Sequence, residues 1–173
     1  SFVVAKYIDR FPSWLTIPIT TQENLYRCHD KAESMKMAES IGVGIPKTVY
    51  PKDEKDMEQV KKELKFPVIV KLRYSNSVKG VEKVNDQSNL SEVYSRLAVK
   101  AEYPPIVQEY VDGEIYTVDV LYNQGKEVAY FCRRNIREKV RAGGAASKIR
   151  SVHEPHLVNQ ARLIFKHLKW HGV

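Results

Sequence analysis

From residue 30 onward the apolar positions switch between helical spacing and short continuous runs, and each change of period marks an element. Ala32, Met35, Ala38 and Ile41 share one face of a helix that Asp30 opens and Gly42 closes, with Glu33 at the capping-box spacing. Residues 47–50 predict a short strand. Asp53 opens a second helix with Met57, Val60 and Leu64 inward, and Phe66-Pro67 ends it. Residues 68–72 read as a strand, followed by a polar loop over 74–79 and then Gly80-Val81. Ser88 is the expected cap of a third helix carrying Leu90, Val93 and Leu97. Pro104-Pro105 precedes a strand over 106–111.

The second half has a different pattern. Residues 114–122 and 127–132 predict two strands joined at Asn123-Gln124-Gly125, a hairpin signal. A basic, glycine-containing stretch covers 133–150 and reads as a mobile loop able to meet an anion. A last helix over 155–168 has Leu157, Ala161, Ile164 and Leu168 on one face, and a new strand is expected to begin at Trp170. Before residue 28 no element is legible, because Phe11-Pro12 and Ile17-Pro18 break any long run. The expected fold class is α+β, organised as residues 1–27 (a lead-in or the tail of a preceding domain), a first α+β lobe over 28–110 and a second over 111–173.

Composition narrows the partners without choosing one. In 173 residues, 28 Lys and Arg against 21 Asp and Glu give a net charge of +7, and 43% hydrophobic content supports a folded core. The basic balance favours anionic ligands. Cys28 and Cys132 form neither a disulfide framework nor a metal-ligand spacing, which fits a cytoplasmic protein. No run approaches the roughly 20 apolar residues of a membrane span. The first residues are too short and too soon charged for a signal peptide, and Ser1 is not a natural start, so both ends read as cut.

Two places carry candidate chemistry. Lys71 follows three apolar residues on a strand that reads as buried, where an unpaired ammonium costs on the order of several kcal/mol. By itself it is as well explained by a wet face of the strand. The loop behind it, with Ser75, Asn76, Ser77 and Gly80, is small and polar enough to wrap phosphates with N–H groups and hydroxyls. The second place is Gln108-Glu109-Tyr110-Val111-Asp112-Gly113-Glu114. A strand ending at a lobe junction exposes backbone groups that can read an adenine edge, and Glu114 can accept from ribose hydroxyls. A solvated polar turn is the competing explanation.

In order, Asp30-Lys31, Ile45-Pro46-Lys47-Thr48, Phe66-Pro67-Val68-Ile69-Val70-Lys71, Gly80-Val81 and the 108–114 segment resemble the ATP-grasp superfamily. The pattern is similar to the ATP-binding halves of carbamoyl phosphate synthetase large chain, biotin carboxylase and the carboxylate–amine ligases, from about residue 28 to 173. The resemblance implies a two-lobed fold gripping ATP, with the second lobe incomplete, and an ATP-dependent ligase forming carbon–nitrogen bonds through an acyl phosphate. It implies that Lys31 and Lys71 contact ATP phosphates with Ser75, Ser77, Gly80 and Val81 nearby. It further implies that Glu109, Tyr110 and Val111 form the adenine hinge, read mainly through the backbone of the last two, and that Glu114 holds the ribose. Arg133, Arg141 and Arg150 fall where relatives place basic groups near the transferred phosphate or the substrate.

Two departures from the family pattern stand out. The loop after Lys71 has no glycine before Gly80, and neither the later-strand acid nor the Glu-x-Asn segment that holds magnesium is present, so metal ligands are expected beyond residue 173 and this chain alone is expected to be inactive. The expected cofactors are ATP and magnesium, and the expected partners are small-molecule carboxylate and amine substrates, with carbamate, an amino acid, a peptide and bicarbonate all open. The second sheet's open edge invites self-association, so a homodimer is allowed for. Two alternatives remain: a basic nucleic-acid-binding module, against which stands the absence of an aromatic RNA-binding signature, and an inactive ATP-binding regulator of the same fold. His153, His156, His167 and His171 read as solvated residues.

Overall fold

In the computed structural model, residues 1–75, 80–138 and 146–173 are described. Two antiparallel sheets form the frame. The first has four strands in the order β1 (Thr48–Val49), β4 (Ile106–Glu109), β2 (Val68–Lys71), β3 (Val81–Val84). The second has three, β5 (Tyr116–Asn123), β6 (Lys126–Glu138) and β7 (Ala146–Ser151). The fold is mixed helix and sheet, as expected, although β3 is a strand where only Gly80-Val81 was read.

Strand alternation decides what each face of the first sheet meets. Val68, Val70, Val84 and Val107 point to one side and pack with Met57 and Val60 of helix α4 (Met57–Glu63) and with Leu90, Tyr94 and Leu97 of helix α5 (Leu90–Ala98). The other side carries Ile69, Lys71, Ile106 and Gln108, paired across strands as Lys71↔Ile106 and Ile69↔Gln108. The cap before α5 is Asp86, whose carboxylate accepts from Ser88 N–H at 2.8 Å, rather than Ser88 itself.

Helix α3 (Lys31–Ser40) starts at Asp30, whose Oδ1 accepts from Ala32 N–H at 2.9 Å and Glu33 N–H at 3.4 Å. The helix serves both halves of the molecule. Met35 Sδ lies 3.6 Å from Gln108 Nε2 on the first sheet, whereas Met37 joins Val120, Tyr122, Leu168 and Trp170 in the second core. Helix α6 (Pro155–His167) covers that core with Ile164 and Phe165.

Residues 1–27 do form elements: helix α1 (Phe2–Lys6) and helix α2 (Gln22–His29). The overlooked signal is Thr21, whose hydroxyl accepts from Asn24 N–H at 3.2 Å as an N-cap. Leu25 packs into the second core, and the Asn24 amide donates to Leu168 C=O at 2.7 Å and Thr20 Oγ1 at 3.0 Å. This segment is therefore stitched to the second sheet's core.

The 133–150 stretch is largely strand where it is described, extending β6 to Glu138 and supplying β7. The β5–β6 turn has φ of +47° at Gln124 and +80° at Gly125, the type I′ pair that matches hairpin twist. The strand expected at Trp170 is a single bridge: Gly172 N–H donates to Tyr122 O at 2.8 Å, and Gly172 O accepts from Tyr122 N–H at 3.0 Å. Gly172 has φ +92°, and a Cβ there would overlap the Pro18 carbonyl. No helix among the described residues is long and apolar enough to cross a membrane.

Replacing Asn24 with alanine leaves the buried Leu168 carbonyl without its donor. Asn24→Ala is expected to destabilise the chain by about 1–3 kcal/mol, read as a lower urea midpoint at unchanged slope. A loss below about 0.5 kcal/mol would show that Leu168 finds another partner and that α2 is not held this way.

Candidate functional site

Asp30 is the hub that brings the start of α3 to the chain leaving β2. Besides capping α3, its buried carboxylate accepts from Arg73 Nε at 2.9 Å, from Arg73 Nη2 and from Tyr74 OH at 2.9 Å. Burial pushes the carboxyl up, but the bonds from Arg73, Tyr74 and Ala32 outweigh it and hold Asp30 below the usual carboxylate range. Burial and the same bond push Tyr74 up to about 12. Sequence reading found Asp30 as a cap and as half of the Asp30-Lys31 motif but not as the partner of Arg73 and Tyr74, since nothing local links it to residues more than forty positions away.

This hub places two lysines. Lys31 N–H donates to Arg73 O at 3.2 Å, and its ammonium donates to Ser75 O at 2.9 Å and Ser75 Oγ at 3.0 Å. Lys71 donates to Gln108 Oε1 at 2.6 Å, and Gln108, 5% exposed, donates in turn to Thr48 Oγ1 at 2.7 Å. Neither ammonium has a carboxylate within 4.0 Å among the described residues, and residues 76–79 and 139–145 contain no acid. Burial, with the Lys31 charge beside it, holds Lys71 below the ordinary lysine range; burial does the same to Lys31, opposed by Asp30. Two cations supported only by neutral acceptors leave positive charge uncompensated at this place. Ser77 of the loop lies outside the described residues. Gly80 has φ +72°, and its carbonyl accepts from Leu72 N–H at 2.8 Å, which closes the loop on the strand it left.

A second set of groups lies where β4 ends. Glu109 N–H donates to Lys47 O at 3.0 Å and Tyr110 N–H to Pro67 O at 3.1 Å. The Tyr110 N–H is thus taken. The Glu109 carbonyl and the Val111 N–H, on the same side of an extended chain, meet no backbone partner among the described residues. A cavity of about 680 Å³ opens there, walled by Ile69, Val81 and Lys83 of the first sheet, by Ile115 just before β5, and by Asn135 and Arg137 of the second sheet. Asn135 Oδ1 is buried in its wall without a hydrogen-bond partner. Asn135 and Lys83 were not singled out by sequence, because only the facing of the two sheets brings them together.

The remaining candidates are spread over the second sheet. Glu114 lines the cavity but is engaged: both its oxygens accept from Arg134 Nη1, at 2.7 and 2.9 Å, and one accepts from Tyr116 OH at 2.9 Å. The Tyr116 and Arg134 bonds hold its carboxyl below the usual range. Arg133 donates to Asp119 Oδ2 at 2.8 Å. Arg150 pairs with Arg134 across the strands, while Arg133 pairs with Ser151, so Arg133 and Arg150 point to opposite faces and do not cluster. Arg141 lies outside the described residues. Among the described residues no three His, Cys, Asp or Glu converge as metal ligands.

Residues 28–173 match a family model described as an ATP-grasp domain. A D-alanine–D-alanine ligase of Fusobacterium nucleatum subsp. nucleatum is 33% identical over 92 residues, which are 53% of this chain and 28% of the relative. The chain thus spans under a third of that relative's length. Among solved structures, the biotin carboxylase domain of Hydrogenobacter thermophilus 2-oxoglutarate carboxylase, in complex with MgADP, ADP and bicarbonate, superposes with a TM-score of 0.76 at 16% identity, over 98% of this chain and 40% of that one. The VanG D-Ala:D-Ser ligase from Enterococcus faecalis does so with a TM-score of 0.71 at 20% identity, over 91% and 50%. At these identities the superpositions speak for the fold.

The electrostatics of Lys71 are testable without any ligand. A base whose folded pKa is depressed binds fewer protons than in the unfolded chain, so its charged form destabilises the fold up to neutral pH and the penalty fades as pH climbs toward 10.5. Lys71→Met is expected to raise the Tm of the ligand-free chain at pH 7 by roughly 2–4 °C, the shift about 1 kcal/mol makes at this size. The gap is expected to narrow toward pH 10. An unchanged or lower Tm at pH 7 would remove the buried-charge reading.

Proposed function

Because this chain belongs to the ATP-grasp family, we propose that it is the ATP-holding part of a carbamoyl phosphate synthetase-like ligase joining a carboxylate to an amine. In the proposed reaction a carboxylate oxygen attacks the ATP γ-phosphorus, ADP leaves, and an acyl phosphate forms. The amine nitrogen then attacks the acyl carbon, phosphate leaves with the bonding pair, and the amine gives up a proton. An ionised carboxylate is a poor electrophile, and phosphorylation supplies the missing leaving group. The work left to the protein is positioning and charge stabilisation.

The observation that carries this reading is the pair of half-buried lysines, Lys31 and Lys71, which have no carboxylate partner among the described residues and stand close enough for the charge of one to bear on the other, with Lys31 bonded to Ser75 at the start of the polar loop. Polyphosphate would supply the missing counter-charge. The unpartnered Glu109 carbonyl and Val111 N–H suit the amino group and ring nitrogen of adenine, which moves the expected hinge one residue back from Tyr110 for its acceptor. The cavity between the sheets would take the base and sugar, and the division of lobes near residue 110 follows it. To hold a ribose, Glu114 must share its oxygens with Arg134 and Tyr116. The residues present do not fit a magnesium site: Glu114 and Asp119 are paired with arginines, and no ligand cluster exists among the described residues.

Titration calorimetry on this chain tests the reading. ATP is expected to bind and GTP to bind more weakly, since guanine presents the opposite donor and acceptor order. Lys71→Ala is expected to weaken ATP by about 10–100-fold, the range of one lost charged hydrogen bond. In the whole protein it should lower the rate by roughly 10²–10³. Unchanged ATP affinity in Lys71→Ala would sink the phosphate assignment, and equal affinity for both nucleotides the hinge assignment.

A further inference from the structure

The segment before residue 30 helps to build a second cavity, of about 400 Å³, that shares no lining residue with the cleft between the sheets. It is lined by Phe2 of α1, Tyr26 and His29 of α2, and Tyr74, Glu102 and Tyr103. The rings run as one continuous wall: Phe2–His29 centroids are 5.3 Å apart, His29–Tyr74 5.4 Å and Tyr74–Tyr103 5.4 Å. Tyr26, Tyr74 and Tyr103 keep 49%, 36% and 43% of their surface open. Among the described residues Glu102 forms no ion pair and no lysine or arginine lines the cavity.

We propose that this aromatic cavity is a binding site for a small organic cation carrying an alkylated ammonium group. The faces of aromatic rings are the negative poles of their quadrupoles, and several faces around one volume attract a positive charge that is weakly hydrated. Glu102 adds a full negative charge at the rim. A neutral ligand would desolvate that carboxylate without compensation, whereas a cation neutralises it. Tyr103 already shows the preference: the Arg73 guanidinium sits 5.1 Å from its ring centroid. That arginine is tethered by Asp30 and Glu33, at 3.7 Å from the latter, and stays outside the cavity. Tyr26 and His29, three apart on α2, face the same side, so the helix presents them as a pair.

The test uses the 173-residue chain with choline and its neutral carbon isostere, 3,3-dimethylbutan-1-ol, titrated against the aromatic resonances by NMR. Choline is expected to saturate with a Kd around the millimolar range, and the isostere to bind at least about fivefold more weakly, the scale of a cation–π preference. Glu102→Gln and Tyr103→Leu are each expected to weaken choline at least about threefold, while Tyr130→Leu on β6 leaves it unchanged. ATP affinity, measured alongside, reports separately on the nucleotide cleft. Equal binding of choline and the isostere, no saturation by choline up to about 100 mM, or no effect of Glu102→Gln would overturn the proposal.

Discussion

Two ammonium groups are held near one another in half-buried positions without a carboxylate, and much of the structure exists to make that arrangement tolerable. Lys31 is braced by the Ser75 carbonyl and hydroxyl, and Lys71 by the Gln108 amide. Neutral acceptors orient a cation without cancelling it. An acid in their place would stabilise the empty chain more and leave less attraction for an incoming anion. The local cost of uncompensated charge is therefore consistent with a binding role.

The acids that could have neutralised these lysines are committed elsewhere. Asp30 stands next to Lys31 in sequence, but its oxygens are filled by Arg73, Tyr74 and the α3 backbone. This one carboxylate fixes the end of β2, the entry to the polar loop and the first turn of α3 together. On the second sheet Glu114 and Asp119 are held by Arg134 and Arg133. The nearest acid in sequence and two acids of the second sheet are thus paired with arginines, and the two lysines keep their charge.

The two sheets are also coupled through α3 and the segment before it. Met35 reaches the first sheet and Met37 the second core, while Leu25 and Asn24 anchor α2 to the α6 side. A helix that packs on both halves sets how far they can separate, so the width of the cleft cavity depends on residues that never touch it.

Period and punctuation determined most elements. The strand Val68–Lys71, the helices after Asp30 and Asp53, and the hairpin at Gln124-Gly125 follow from local spacing, and local physics settles them. The ordered motifs also pointed to the ATP-grasp family, because phosphate loops and hinges are short and contiguous. Tertiary structure decided the rest. The basic stretch after Cys132 looked like a loop but is strand where it is described, since its pairing partner across the sheet outweighs its polar composition. Arg133 and Arg150 both read as basic groups near the phosphate or the substrate, and they lie on opposite faces of the second sheet, because register sets facing with a period of two. Tyr110 looked free to read a base, yet its N–H belongs to Pro67, a partner fixed by the β2–β4 pairing. Asp30's hold on Arg73 and the shared cavity wall of Asn135 and Lys83 bring together residues far apart in the chain, and no local pattern encodes such distances.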